Sequence, residues 1–293
     1  MVAMANCRGT LQLRWMRLLQ LSDPHLLADP MALCRGRLPR LQLGEALRQA
    51  RLSLGGTWGP ADLLLISGDL CHDESWLGYA ELRDLLLHGK GDQAQAINTV
   101  LLPGNHDHPQ LLRAVLGRHG TVAPALVRGL TADLVLLDSH RPGSDAGWLG
   151  DAQLCWLQQV LATRRAAPLL VALHHPPVAI GDPGFDAIAL KDGPALLELL
   201  RSEVDLRVVL FGHIHQHWQG VFPGRSEVPL LGCPSTLCSY GPVQPCPLNR
   251  AAEPGGRLLE IGPDGQLRQR LLRWPALVPP SLATRTGILG SAD

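Results

Sequence analysis

Leu18-Leu19-Gln20-Leu21-Ser22-Asp23-Pro24-His25-Leu26 carries the first long apolar run of the chain and ends it in a polar cluster. The same design returns four times. Leu63–Ile66 runs into Ser67-Gly68-Asp69, and Thr99–Leu102 into Pro103-Gly104-Asn105-His106-Asp107. Leu169–Leu173 runs into His174-His175-Pro176, and Val208–Phe211 into Gly212-His213-Ile214-His215. Short continuous apolar runs read as strands buried on both faces. The ends of such strands in an open α/β sheet are where ligand sites are built.

Working outward, helical periodicity separates these runs at Leu43–Leu54, Trp76–Leu87, Gln110–Leu116, Asp151–Ala162 and Pro194–Leu200, with a further strand pattern at Leu134–Leu137. Strand and helix alternate, which predicts an α/β fold. After Gly212 the pieces shorten: Val221–Phe222, Leu230–Leu231, Leu258–Ile261 and Leu267–Leu272 are set between Gly and Pro. They predict a second, more antiparallel sheet. No Pro/Ser-rich linker divides the chain, so one compact domain over 16–274 is expected. Residues 1–15 read as an extension before Met16, and Pro275–Asp293 as a poorly packed tail.

Composition narrows the function. The 293 residues carry 26 basic and 26 acidic side chains, a formal charge of zero. That removes the electrostatic footprint of a dedicated nucleic-acid or anionic-membrane binder. No apolar run approaches the ~20 residues of a membrane helix. Seven cysteines, an odd number without a Cys-x-x-Cys pair, argue against a disulfide scaffold or a thiolate zinc site. Free thiols and the lack of a signal-peptide pattern in Met1–Thr10 point to the cytoplasm. The expected partner is a small molecule, and the expected state is a monomer or homodimer.

Each polar cluster alone has a bland explanation. Asp-Pro-His and Gly-Asp are common turn or cap compositions, and Gly-Asn tolerates positive φ. Together, five strand ends converge on carboxylate, imidazole and amide oxygen, ligands suited to Mn, Fe or Zn. Pro24 biases Asp23 toward extended backbone. His213 and His215, if extended, project to one side as a chelating pair. Asp69 has two oxygens and can bridge cations ~3.5–4 Å apart.

These motifs, taken as a set, resemble the calcineurin-like metallophosphoesterase superfamily, from about Met16 to about Arg273. Softer text, including Gly212-His213-Ile214-His215-Gln216 and Cys233-Pro234-Ser235-Thr236, is similar to the bacterial class III 3′,5′-cyclic-nucleotide phosphodiesterases of the CpdA type. The resemblance implies a two-sheet β-sandwich flanked by helices on both faces, the αββα four-layer fold. It implies two divalent cations, Mn or Fe foremost and Zn also accommodated. Asp23, His25 and His215 would hold the first, Asn105, His174 and His213 the second, and Asp69 would bridge. His174 is preferred to His175 because the family's ligand stands two residues before a proline, here Pro176. His106 would act on the leaving oxygen.

Phosphoprotein phosphatases of this superfamily place an aspartate three residues after the bridging one, within Asp-Arg-Gly. Here His72 stands there and no Asp-Arg-Gly follows. Asp73 becomes the expected orienter of His106, and His72 an exposed loop residue. The implied chemistry is in-line attack on phosphorus by a hydroxide bridging the cations, converting a cyclic nucleotide, cyclic AMP foremost, to a nucleoside monophosphate. His217, Ser235, Thr236 and Tyr240 are the expected substrate rim. A broader phosphodiesterase, acting on glycerophosphodiesters or other small phosphate esters, would use the same metal residues. A non-catalytic scaffold is disfavoured because every ligand position is filled.

Overall fold

The computed structural model describes residues 15–56, 62–88 and 98–278. The first sheet is built from β1 (Met16–Leu21), β2 (Asp62–Ser67), β3 (Asn98–Leu102), β4 (Thr121–Val122), β11 (Gly255–Ile261) and β12 (Leu267–Arg273), in the order β12-β11-β1-β2-β3-β4. The second is built from β5 (Ala125–Arg128), β6 (Asp133–Leu136), β7 (Leu169–Ala172), β8 (Leu206–Phe211), β9 (Trp218–Phe222) and β10 (Arg225–Gly232), in the order β5-β6-β7-β8-β10-β9. β1 to β4 are mutually parallel, as are β6, β7, β8 and β10; the outer strands β12, β11, β5 and β9 join antiparallel.

Strand alternation explains the layers. Leu18, Leu63, Leu65, Leu134, Leu136, Leu170, Val208 and Leu210 point inward and form the core between the sheets. Their neighbours Leu19, Leu64, Ile66 and Leu101 point outward under the helices α1 (Pro39–Ser53), α2 (Trp76–His88) and α3 (Pro109–Leu116). On the other side, Val135, Val171, Val209 and Phe211 pack under α4 (Gly150–Thr163) and α6 (Gly193–Arg201). A one-residue step thus moves a side chain from one core to another, which is why runs such as Leu63–Ile66 and Val208–Phe211 are apolar at every position. The short helix α5 (Pro183–Ala187) caps itself through Asp182, whose carboxylate accepts from Gly184 and Phe185 N–H.

The four layers match the expectation, and the six strands and five helices read from the pattern lie where it placed them. The strands after Gly212 differ. They do not make a sheet of their own: β9 and β10 extend the second sheet, while β11 and β12 extend the first. Their alternation marks them as extended but carries no information on the partner, which is chosen by contacts far away in sequence. The tail is also tied at its start. Gln42 donates to Leu277 O at 2.7 Å and accepts from Leu277 N–H at 3.2 Å, and Trp274 is buried in the helix-covered core. Residues 1–14 and 279–293, the bulk of the two expected terminal segments, lie outside the described residues.

Candidate metal centre

Five loops leave the carboxyl ends of β1, β2, β3, β7 and β8, and the two sheets bring them to one edge of the sandwich. The first two are zipped by their backbones: Asp23 N–H donates to Gly68 O, His25 N–H to Asp69 O and Leu26 N–H to Leu70 O, at 2.9–3.0 Å. Across the sheets, Asp23 Oδ2 accepts from His213 N–H at 3.2 Å; within the second sheet, Gly212 N–H donates to His174 O at 3.0 Å. Asp23, His25, Asp69, His213 and His215 all have left-handed backbone, φ between 49° and 68°. Such conformations are uncommon outside glycine and persist where the surroundings over-determine them.

The side chains form two groups whose facing atoms are acceptors. In the first, Asp23, His25, Asp69 and His215 bring one ligand atom each within 4.8 Å of one another, all buried. His215 Nδ1 donates to Cys238 O at 3.2 Å, which leaves Nε2 as the ligand atom, 3.0 Å from His25 Nε2 and 3.4 Å from Asp23 Oδ1. In the second group, His174 Nδ1 donates to Ser67 O at 2.7 Å. Its Nε2 lone pair then faces Asn105 Oδ1 at 3.3 Å and Asp69 Oδ1 at 3.5 Å. Asp69 belongs to both: Oδ1 turns to His174, and Oδ2 to His25 at 3.6 Å.

Electrostatics follow from this crowding. Burial, with the neighbouring His215, His106 and His72, drives His25 well below the usual imidazole range. Burial, with His175 and His174, does the same to His213. Burial alone would lower His215 too, but Asp23 outweighs it and lifts His215 to about 9, so in the absence of a cation Nε2 keeps a proton directed at Asp23, in the place a metal ion would take. Lone pairs aimed at one another in a dry pocket are costly unless something positive sits between them. Asp23 Oδ1 and His213 Nε2 are buried without a hydrogen-bond partner, which fits a cation at each group. His175 is different: Nδ1 meets Ser139 Oγ at 2.8 Å and Nε2 donates to Asp145 O at 3.1 Å, so it has no lone pair to spare.

Several expectations need correction. Asp23 is not extended (φ 52°); the Gly68 and Ser235 hydrogen bonds hold it against the preference set by Pro24. His213 and His215 are not a chelating pair on one extended segment, since each is left-handed and they enter different groups. His72 is no exposed loop residue: its Nδ1 is 3.2 Å from His25 Nδ1 and its ring lies 4.7 Å from that of His106. Asp73 accepts from Ala28 N–H, Cys71 Sγ and Ser75 Oγ, and among the described residues no hydrogen bond joins it to His106.

The expected rim is mostly buried. Ser235 Oγ donates to Asp23 O at 2.8 Å and accepts from Leu237 and Cys238 N–H, so it clamps the β1 loop. Thr236 N–H donates to Ser22 O from a fully buried position. His217 faces Arg257 Nη2 at 3.1 Å; burial and that arginine push it down to about 4. Ser235 and Thr236 pack beneath the loops because Gly232–Leu237 runs under the end of β1, and His217 is taken up by Arg257. Tyr240 does reach the site, stacking on His215 with ring centroids 4.7 Å apart.

Asp107, which closes the Gly104-Asn105-His106-Asp107 run, is a site residue without a predicted role. It is fully buried and accepts from Leu70, Cys71 and Gly104 N–H and from Tyr79 Oη, at 2.8–3.1 Å. Burial and the nearby Asp69 push it up to about 7. It ties the Asp69 loop to the Asn105 loop. An aspartate following a Gly-Asn-His turn was the available signal.

The chain belongs to the calcineurin-like phosphoesterase family, whose model matches residues 16–217. It is 51% identical over 267 residues to a probable cyclic nucleotide phosphodiesterase of Synechococcus sp. strain WH7803, covering 89% of this chain and 97% of that one. It is 33% identical to the 3′,5′-cyclic adenosine monophosphate phosphodiesterase CpdA of Pseudomonas aeruginosa, covering 87% and 89%. The fold resembles that of a dimetal phosphatase from Danio rerio, with a TM-score of 0.55 at 13% identity over 88% of this chain and 99% of that one. Among the described residues no helix is long and apolar enough to cross a membrane.

Proposed function

We propose that this chain is a two-metal phosphodiesterase that hydrolyses 3′,5′-cyclic nucleotides, cyclic AMP foremost, to nucleoside monophosphates. The observation that carries the reading is Asp69, whose two oxygens serve two separate groups of buried acceptors. Asp23, His25 and His215 would hold one cation, Asn105, His174 and His213 the other, with Asp69 shared. When bound, the cations supply charge and Lewis acidity, acidifying water and neutralising the non-bridging phosphoryl oxygens. Imidazole, carboxylate and amide oxygen suit Mn or Fe, and Zn as well.

The chain's own groups position and move protons. Ser67 O and Cys238 O fix the tautomers of His174 and His215 from behind, an outer layer that orients ligands. His106 is half-buried at the mouth, its ring 5.3 Å from that of His25. There it delivers a proton to the ribose oxygen as water bonds to phosphorus and the P–O bond to the sugar breaks. The cyclic substrate is supported by the names of the relatives, and a diester by the neutral ligand loops: no Arg or Lys lies within four positions of Asp69, Asn105, His174 or His213.

The test is a turnover panel with the Mn-loaded enzyme: cyclic AMP, cyclic GMP, bis(p-nitrophenyl) phosphate and p-nitrophenyl phosphate. Diesters should turn over and the monoester poorly. A strong preference for p-nitrophenyl phosphate overturns the diesterase reading, and turnover of bis(p-nitrophenyl) phosphate without cyclic nucleotides overturns the substrate.

A further inference from the structure

The loop that follows β1 carries a tight turn at Cys34–Arg37, closed by Cys34 N–H to Arg37 O at 2.9 Å and Arg37 N–H to Cys34 O at 3.0 Å. Its central residues, Arg35 and Gly36, are both left-handed, with φ of 52° and 75°. Turns of this shape favour Gly, Asn or Asp at both central positions. Arg35 is out of keeping with its place, and an arginine held in a disfavoured backbone invites a reason.

The reason lies in what it overhangs. The Arg35 guanidinium carbon is 5.2 Å from the centroid of the Tyr240 ring, and Tyr240 stacks on His215. A column of guanidinium, phenol and imidazole therefore leads from the surface into the first ligand group. Among the described residues no salt bridge joins a carboxylate to Arg35, whereas other exposed arginines have one, as Arg48 has Glu45 and Arg201 has Glu198. The flanks of Asp69, Asn105, His174 and His213 bring no cation, which leaves the far part of the β1 loop to supply one.

We infer that Arg35 is a substrate-binding residue of this centre, donating to a non-bridging oxygen of the phosphoryl group while Tyr240 holds its guanidinium plane. The inference rests on the phosphodiesterase reading above. Guanidinium and phosphoryl oxygens match in geometry, and a charge-assisted hydrogen bond of this kind is among the stronger polar contacts. Because the phosphoryl group is anionic before, during and after the reaction, Arg35 binds all three states. Its loss should therefore fall on KM and on inhibition by phosphate, with kcat spared.

The experiment uses Arg35→Gly, which removes the side chain and suits the left-handed backbone, and Arg35→Lys, which keeps the charge. Both are read with steady-state kinetics on cyclic AMP and bis(p-nitrophenyl) phosphate, competition by inorganic phosphate, and metal content. For Arg35→Gly, KM and the phosphate inhibition constant should rise about 10–100-fold, with kcat within about threefold. Arg35→Lys should recover part of the loss, and metal content should stay at the wild-type value in both. A KM and a phosphate inhibition constant within threefold of wild type overturn the inference, as does a loss confined to kcat. If the wild type turns over no cyclic nucleotide, the substrate reading fails by itself, and Arg35 is judged on bis(p-nitrophenyl) phosphate and inorganic phosphate.

Discussion

Gly104→Ala should damage the metal centre without unfolding the protein. A methyl built on Gly104 falls 2.2 Å from Asp69 Oδ1, 2.3 Å from Asp69 N and 2.8 Å from His174 Nε2. Non-bonded atoms settle at about 3.5–4.0 Å, so the neighbours must retreat by at least about 1 Å. One of them is backbone and cannot swing aside, so the Asp69 loop has to move as a unit and takes the shared carboxylate with it. Overpacking of this size costs about 1–3 kcal/mol, which is about 2–12 °C in Tm for a chain of this length. Misplacing a reacting group by about 1 Å costs roughly 10² in rate. Elemental analysis of the purified variant, its Tm, and kcat/KM on bis(p-nitrophenyl) phosphate give the three readings. Gly44→Ala is the contrast: nothing lies within 4 Å of the added methyl in the interior of α1, and stability should rise by roughly 0.5–1 kcal/mol with activity intact. Gly104→Ala with wild-type metal content and kcat/KM within threefold would refute the steric argument.

Asp69→Asn keeps the shape of the shared ligand and removes its charge, so elemental analysis should show metal lost from both positions; two tightly held metals with full activity would sink the bridging role. His106→Ala should keep its metal while kcat falls roughly 10²–10⁴ on a diester with a poor leaving group and less on a p-nitrophenyl ester. Equal losses on both would make His106 structural. Ser235→Ala strips the Asp23 carbonyl of its donor and the Leu237 and Cys238 N–H groups of their acceptor. Thermal unfolding should show about 1–3 kcal/mol lost; a tenfold rise in KM with Tm unchanged would return Ser235 to the substrate rim.

What the sequence made legible was whatever depends on neighbours along the chain. Leu63–Ile66 and Val208–Phe211 are apolar at every position because both faces are covered, and that pattern needs no knowledge of the covering. The loops could be found because each follows such a run. What stayed hidden depends on contacts between distant segments. Ser235 and Thr236 look like polar loop residues, and only the path of Gly232–Leu237 under β1 shows them buried. Nothing near His72 in sequence announces that His25 waits 47 positions away. Asp73 stands one position past the place an orienter of His106 would occupy, and its own turn, through Ser75 and Cys71, claims one of its oxygens. Arg35 sits in a turn that reads as ordinary until Tyr240 is placed beneath it.

β1 lies between β2 and β11, and His25 meets His215 from 190 positions away. On the ribosome these partners emerge far apart in time. For most of its synthesis the chain carries Asp23, His25 and Asp69 without His213 and His215 to face them and without β11 to close the first sheet. Order of translation thus works as an interlock. Cation capture waits for the last third of the chain, because His213 and His215 complete the two groups and only then is each set of donors whole, so a truncated polypeptide that stops short of them holds neither site complete.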